Sequence, residues 1–124
     1  MMIIIISCSK ETAESTETIQ PDGSKRILKV LCYNIRHGAP ANSSVINMDN
    51  IASVIKMLVP DIVLLQEVDK NTSRSKEDQS IALGSRLKMF SYFSKSIDYN
   101  NGEYGVAILS KYKIIKSESL QLPN

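Results

Sequence analysis

The stretch that most constrains the fold is DIVLLQEVD at residues 61–69, an apolar run with polar ends. It follows Pro60 and stops at the turn-prone sequence Asp69-Lys70-Asn71. A short, continuously apolar run rich in Ile, Val and Leu is typical of a parallel strand that is buried on both faces. Glu67 stands near its C-terminal end, where open α/β sheets usually carry their chemistry. We therefore predict a buried parallel strand that presents one carboxylate.

A second apolar run precedes it, and a helix is predicted between the two. The first strand is predicted over residues 25–33, directly before Asn34. The helix has Asn47 as a plausible N-cap and ends at Pro60. Its apolar positions recur at helical spacing: Met48, Ile51, Ala52, Ile55, Leu58 and Val59. Strand, helix and strand in this order form a parallel βαβ unit, so Asn34 and Glu67 should meet at one sheet edge.

The remaining sequence predicts one weaker helix and three strands. The helix is expected over residues 77–89, and the strands over residues 90–97, 103–109 and 113–120. The Asn101-Gly102 pair is a strong hairpin signal between the first two of these strands. The fold class is therefore α/β (α+β). Three successive antiparallel strands with open edges would promote aggregation, so we expect the chain to be half of a larger domain.

Composition excludes several classes of protein. The formal net charge of +2 is too small to argue for binding to nucleic acid or membranes. Cys8 and Cys32 are too few for a disulfide framework, no Cys/His cluster suggests zinc, and Cys32 is expected to be a buried small hydrophobe. No apolar run approaches the roughly 18 residues of a transmembrane helix.

Residues 1–24 differ in composition from the rest and are predicted to lie outside the folded domain of residues 25–124. The sequence Ile5-Ile6-Ser7-Cys8 resembles the end of a bacterial lipoprotein signal, in which the cysteine becomes lipidated. The polar stretch ETAESTET that follows resembles a flexible, disordered tether. This interpretation predicts an extracytoplasmic lipoprotein anchored to a membrane (periplasm or outer membrane) through Cys8. The alternative is a frayed apolar N-terminus.

Glu67 and Asn34 are candidate ligands for a hard divalent cation. Mg²⁺ prefers oxygen ligands and is often held by one or two carboxylates together with substrate phosphate. Arg36 and Arg74 would suit phosphate oxygens, because a guanidinium fork matches their geometry. Alternatively, Glu67 is a solvated residue at a strand end and Asn34 caps a turn. His37 is either a general base or an ordinary surface residue.

Three motifs occur in an order and spacing that carry a family resemblance. They are LCYNIRHG at residues 31–38, PDIVLLQEVD at 60–69 and GEYGVAILSKYKI at 102–114. Together they resemble the N-terminal half of the endonuclease/exonuclease/phosphatase superfamily, the deoxyribonuclease-I-like metal-dependent phosphoesterases. The resemblance implies a partial four-layer α/β/β/α sandwich. It also implies that Asn34 binds metal and phosphate, that Glu67 is the Mg²⁺ ligand, and that Arg74 and Tyr104 line the cleft.

The resemblance implies a magnesium-dependent phosphoesterase, with Mn²⁺ as the alternative ion. The expected catalytic residues are Asn34 and Glu67, and the expected substrate-binding residues are Arg36, His37, Arg74 and Tyr104. The substrate is expected to be a phosphate ester: a nucleic acid, a sugar phosphate or a phospholipid head group. The family's later Asp/Asn pair and Ser-Asp-His motif have no match in this chain. We therefore expect little hydrolysis by it alone. The alternative is an inactive fragment or half-domain that needs the missing C-terminal half from a complementary chain.

Overall fold

The structure, a computed structural model, describes residues 2–8 and 27–121. Within these ranges it contains six strands, two α-helices and one 3-10 turn at Arg36–Gly38. In chain order the elements are β1 Met2–Cys8, β2 Val30–Asn34, α1 Met48–Leu58, β3 Ile62–Lys70, α2 Gln79–Leu87, β4 Phe90–Tyr99, β5 Gly102–Ser110 and β6 Ile114–Gln121. The predicted mixed α/β class is confirmed.

Strands β2, β3, β5 and β4 form one sheet in that spatial order. β2 runs parallel to β3, with Val30 opposite Ile62 and Asn34 opposite Gln66, which confirms the predicted βαβ unit. β3 and β5 are antiparallel, as are β5 and β4. The C-terminal ends of β2 and β3 therefore lie side by side at one edge of the sheet.

The hydrophobic core joins β3 and β5 to both helices. α1 and α2 pack against each other, and α2 also contacts β3, β4 and β5. Ile55 of α1, Leu83 of α2 and Leu109 of β5 are almost fully buried. The rest of the core consists of Ile35, Met48, Ala52, Val63, Leu65, Val68 and Ala107. Of the apolar stripe predicted for α1, Met48, Ala52 and Ile55 belong to this core, whereas Leu58 and Val59 are exposed.

Cys32 is exposed, so the prediction that it is buried was wrong. β2 begins at Val30 rather than at residue 25, and its residues alternate between exposed and half-buried. In the described sheet it pairs on one side only, with β3. The alternation directs Leu31 and Tyr33 to the core and leaves Cys32 on the opposite face.

The last strand departs from the expected three-strand arrangement. β6 does not join β4 and β5 in their sheet but pairs antiparallel with β1, with Ile3 opposite Leu120 and Ile6 opposite Ser117. The prediction that residues 1–24 lie outside the fold therefore differs from the structure at Met2–Cys8. The isoleucine run from Ile3 to Ile6 is apolar and β-branched, and this composition favours a paired strand. The residues interpreted as the end of a signal therefore also fit strand β1. The tether predicted after Cys8 lies outside the described residues.

Both helices begin at the caps that their sequences indicate. Asn47 accepts a hydrogen bond from the backbone N–H of Asn50, and Asp78 accepts from Ser80 and Ile81. Gly84 suits its place within α2, because a Cβ there would approach the carbonyl oxygen of Met89 to 2.9 Å. In the part of the chain that the structure describes, neither helix has the length and hydrophobicity of a membrane span.

Candidate metal and phosphate site

Asn34 and Glu67 meet at the shared end of β2 and β3. The Asn34 Nδ2 atom donates a hydrogen bond of 2.8 Å to Glu67 Oε1. The parallel register places Asn34 opposite Gln66, so Glu67 stands one residue beyond the end of the ladder. The spatial prediction on which the sequence interpretation depended is therefore confirmed, although the chemical roles of the two residues stay predictions.

The carboxamide of Asn34 is held at both of its ends. Its Oδ1 atom accepts a hydrogen bond of 2.9 Å from the backbone N–H of Arg36, while its Nδ2 atom faces Glu67. In this orientation the amide hydrogens, and not the oxygen, point at the carboxylate. Asn34 therefore acts here as a hydrogen-bond donor that orients Glu67.

Glu67 lies in a bulge of β3 that the sequence did not reveal. Leu65 pairs with Ala107 and Val68 with Gly105, so two residues of β3 stand opposite Val106 alone. Glu67 itself has a φ of 57°, which is rare for a residue with a side chain. A bulge re-aims the side chains of a strand and is common next to active sites. The strained backbone of Glu67 directs the carboxylate of this residue towards Asn34.

The segment after β2 is also left-handed. Arg36, His37 and Gly38 have φ values of 47°, 46° and 80°. Glycine suits position 38, because a φ of 80° is strained for residues that carry a side chain. Arg36 is exposed, and its Nη1 atom donates to the carbonyl oxygen of Pro40 at 2.6 Å.

His37 is half-buried and lies within the electrostatic reach of the site. Burial lowers the pKa of its imidazole, and the positive charges of Arg74 and Arg36 lower it further. The negative charges of Asp69 and Glu67 act in the opposite direction, with less effect than burial. His37 is therefore biased towards its neutral form, although nothing in the geometry identifies it as a base.

Arg74 is committed to a partner that sequence reasoning missed. Its Nε and Nη2 atoms form a bidentate pair with the carboxylate of Asp69, at 2.7 and 2.9 Å. The guanidinium carbon lies 4.7 Å from the ring centroid of Tyr99 and 5.8 Å from that of Tyr104. Asp69 is completely buried, which the polar stretch at the end of the β3 sequence did not suggest. Arg74 thus reaches the site wall with only part of its guanidinium available.

Tyr104 lies beside Glu67 and Arg74 at the candidate site. Burial, the negative charge of Glu67 and a hydrogen bond to that carboxylate raise the pKa of the phenol to about 12. The hydroxyl is therefore protonated across the physiological range and can donate to the carboxylate. The side chains brought together are thus Asn34, His37, Glu67, Arg74 and Tyr104, with Arg36 exposed at the rim.

The donor set suits a magnesium ion that is held by one carboxylate. Among the described residues, no group of three or more His, Cys, Asp and Glu side chains forms a protein cage for a metal. Glu67 is half-exposed and is the acidic side chain at the meeting point. Mg²⁺ keeps several waters and is often bound by one or two carboxylates plus substrate phosphate, so the residues present fit this mode.

Comparisons with known proteins agree with the motifs. The family model described as the endonuclease/exonuclease/phosphatase family matches residues 31–124. This family is generally dependent on divalent metals. No functionally curated protein matches the chain.

Two solved structures resemble the chain. One is an endonuclease/exonuclease/phosphatase from Beutenbergia cavernae DSM 12333, with 26% identity and a TM-score of 0.54, covering 67% of this chain and 25% of its own. The other is an endonuclease/exonuclease/phosphatase family protein from Leptotrichia buccalis C-1013-b, with 22% identity and a TM-score of 0.55, covering 73% and 40% respectively. The chain therefore spans less than half of the length of either structure. At 22% identity, the similarity to the Leptotrichia buccalis protein shows the fold alone. On the family match across most of its length, the chain belongs to the endonuclease/exonuclease/phosphatase family.

Proposed function

We propose that this chain supplies the metal-binding carboxylate of a magnesium-dependent phosphoester hydrolase. The observation that carries the proposal is the 2.8 Å contact between Asn34 Nδ2 and Glu67 Oε1 at the ends of two parallel strands. Family membership supports the reaction class, because the family's name covers nucleases and phosphatases.

Each nearby side chain has a role in this proposal. Glu67 binds Mg²⁺, with Mn²⁺ as the alternative ion, Asn34 orients its carboxylate by donating a hydrogen bond, and the protonated Tyr104 phenol lies beside it. The bound ion supplies positive charge to the phosphoryl oxygens of the substrate. Arg36 is exposed at the rim and can contact a phosphate, whereas Arg74 has only its remaining N–H groups for this purpose.

The proposed substrate is a phosphate ester from a nucleic acid, a sugar phosphate or a phospholipid head group. An open groove of about 360 Å³ adjoins Asn34 and Arg36, and Ile35, Ile51 and Val54 give it apolar walls. It also carries the carboxamides of Asn47 and Asn50. A groove of this character accommodates an organic group attached to the phosphate.

The test is hydrolysis of 4-nitrophenyl phosphate and bis(4-nitrophenyl) phosphate by the protein isolated from its source cells. The proposal predicts turnover that requires Mg²⁺, is abolished by a chelator and falls below detection in Glu67→Gln. Glu103→Gln is the matched control. It makes the same change at a carboxylate that is already paired with Lys70, at 2.9 Å. Turnover that is unaffected by Glu67→Gln would contradict the proposal.

The second candidate is an inactive half-domain that needs the family's C-terminal half from a complementary chain. Two observations favour it: the limited coverage of the solved relatives and the single carboxylate at the meeting point. Circular dichroism and thermal unfolding of this chain alone distinguish the candidates. A cooperative transition supports an independent module, and its absence supports a half-domain that folds only with its complement.

Attachment to a membrane through lipidated Cys8 is a separate proposal, supported by the signal-like sequence before it. Removal of a signal ahead of Cys8 would delete six of the seven residues of β1, and β1 is the strand that pairs with β6. The intact mass of the native protein decides between the two arrangements. A lipid adduct that disappears in Cys8→Ser supports the extracytoplasmic anchor, and a retained Met1 contradicts it.

A further inference from the structure

A network of five polar side chains, four of them buried, lies directly behind the candidate site. We name it the polar bracket, and its members are Asp69, Thr72, Arg74, Ser75 and Gln79. Asp69, Thr72 and Gln79 are fully buried, and Ser75 is 5% exposed. In the described residues no buried side-chain nitrogen or oxygen lacks a hydrogen-bond partner. A fully satisfied buried network of this kind specifies geometry, because any displacement leaves a polar group unpaired.

Gln79 joins the two chain segments that carry the site. Its Oε1 atom accepts a hydrogen bond of 3.0 Å from the backbone N–H of Asp69 on β3. Its Nε2 atom donates at 2.8 Å to the backbone carbonyl of His37 in the segment after β2. A second donation, at 3.2 Å, reaches Ser75 Oγ in the loop between β3 and α2. One side chain on α2 therefore links residues from both halves of the site.

Asp69 holds the other side of the bracket. Its carboxylate accepts two hydrogen bonds from Arg74 and one of 2.9 Å from Thr72 Oγ1. Thr72 Oγ1 in turn accepts from the backbone N–H of Ser75 at 3.1 Å. The loop after β3 is thus fixed to the strand, and it carries Arg74 against Tyr104, the neighbour of Glu67.

The backbone at the site needs such a restraint. Glu67 interrupts the regular ladder of β3 with a bulge, and Arg36 and His37 are left-handed. Regular strand pairing therefore does not fix the positions of these residues, and strained conformations persist only where their surroundings hold them. The bonds of Gln79 to Asp69 and His37 lie two and three residues from Glu67 and Asn34, respectively.

We propose that Gln79 is a positioning residue that holds Asn34 and Glu67 in the mutual geometry needed to bind one divalent cation. The cation-binding part rests on the proposed function, whereas the effect on the Asn34–Glu67 contact does not. Residues that orient metal ligands from behind typically change metal affinity about 10- to 100-fold when they are replaced. We expect Gln79 to belong to this class.

The test is Gln79→Met, which preserves side-chain length and removes the three hydrogen bonds. Two readouts are measured: the NMR shift of the Asn34 side-chain amide, assigned with Asn34→Asp, and the affinity for Mn²⁺. We expect the Asn34 signal to move towards that of an unbonded amide and the Mn²⁺ affinity to fall about tenfold. Gln66→Met is the matched control, because among the described residues the side chain of Gln66 donates to the carbonyl of Leu64 in its own strand and makes no link between the two segments of the site. It should leave both readouts unchanged.

Thr72→Val provides a milder variant if Gln79→Met does not fold. It removes the bonds from Thr72 to Asp69 and Ser75 and should move both readouts in the same direction by less. An unchanged Asn34 signal in a folded bracket variant would overturn the inference. If Glu67→Gln leaves Mn²⁺ affinity unaltered, the proposed metal site fails, but the Asn34 signal still decides whether Gln79 positions the contact.

Discussion

The two ends of β3 carry similar side chains in different physical settings. At the first end, Asp61 pairs with Lys111 at 3.1 Å, and the two side chains are 20% and 42% exposed. At the other end, Asp69 is completely buried and is held by Arg74 and Thr72. Both carboxylates form ion pairs, but only Asp69 gives up its hydration entirely. A fold that needed β3 only as a structural strand would not require this costly arrangement at one end.

The backbone differs between the two ends in the same way. At the site end, Arg36, His37 and Glu67 adopt left-handed conformations outside any helix cap. At the opposite end, the left-handed residues Val59 and Lys88 are ordinary C-caps of α1 and α2. Strain and buried polarity thus concentrate where Asn34 and Glu67 meet. The contrast locates the part of the molecule in which geometry is maintained at the expense of stability.

Breaking the ion pair at each end of β3 gives the largest expected difference. Arg74→Ala should lower the free energy of unfolding by about 3 kcal/mol, because it leaves the buried Asp69 carboxylate without its main partner. Lys111→Ala should cause no measurable loss, because the Lys111 side chain is exposed and Asp61 keeps its hydrogen bond from the backbone N–H of Lys29. Urea denaturation of both variants measures the contrast. Equal losses would show that the two ends do not differ energetically.

The strain at Glu67 predicts a smaller effect with an unusual sign. Glu67→Gly should be more stable than Glu67→Ala by about 1 kcal/mol, because glycine adopts a φ of 57° without penalty. At Glu118, an exposed residue of β6 with no left-handed backbone, Ala should be the more stable replacement. Thermal denaturation of the four variants tests this. The same order at both positions would remove the evidence for strain at the site.

The smallest expected effect is the pH dependence contributed by His37. Its pKa is lower in the folded protein than the ordinary value of 6.5, so protonation favours the unfolded state. The stabilisation from neutral His37 is present above pH 6.5 and is lost as the pH falls through the folded-state pKa. Thermal melts at pH 7.5 and 5.5 should show a larger loss for the wild type than for His37→Gln. Parallel losses would place His37 outside the electrostatic field of the site.

Sequence reasoning predicted the contact between Asn34 and Glu67 because that contact follows from topology. A βαβ unit makes neighbouring strands parallel, and parallel strands bring their C-terminal ends together. Neither step depends on side-chain detail. The family motifs then indicated which polar residues at those ends to consider, and Asn34 and Glu67 are the pair that the structure joins.

The bulge, the bracket and the partner of β6 were not predictable in the same way. A bulge at Glu67 depends on the register with β5, and no local residue pattern signals it. Asp69 and Gln79 look like ordinary polar residues, since their burial arises from contacts with the loop and with His37. β6 pairs with a strand more than 100 residues earlier, which no short-range periodicity encodes.

The most direct test of the central claim is the affinity of the protein for Mn²⁺, measured by electron paramagnetic resonance in the wild type and in Glu67→Gln. We predict one site in the wild type that is lost in Glu67→Gln and retained in Glu103→Gln, because Glu103 pairs with Lys70. Asn34→Asp removes the donor to Glu67 and should alter the affinity of that same site. Equal Mn²⁺ affinity in the wild type and in Glu67→Gln would contradict the claim that this end of the sheet is built around a metal-binding carboxylate.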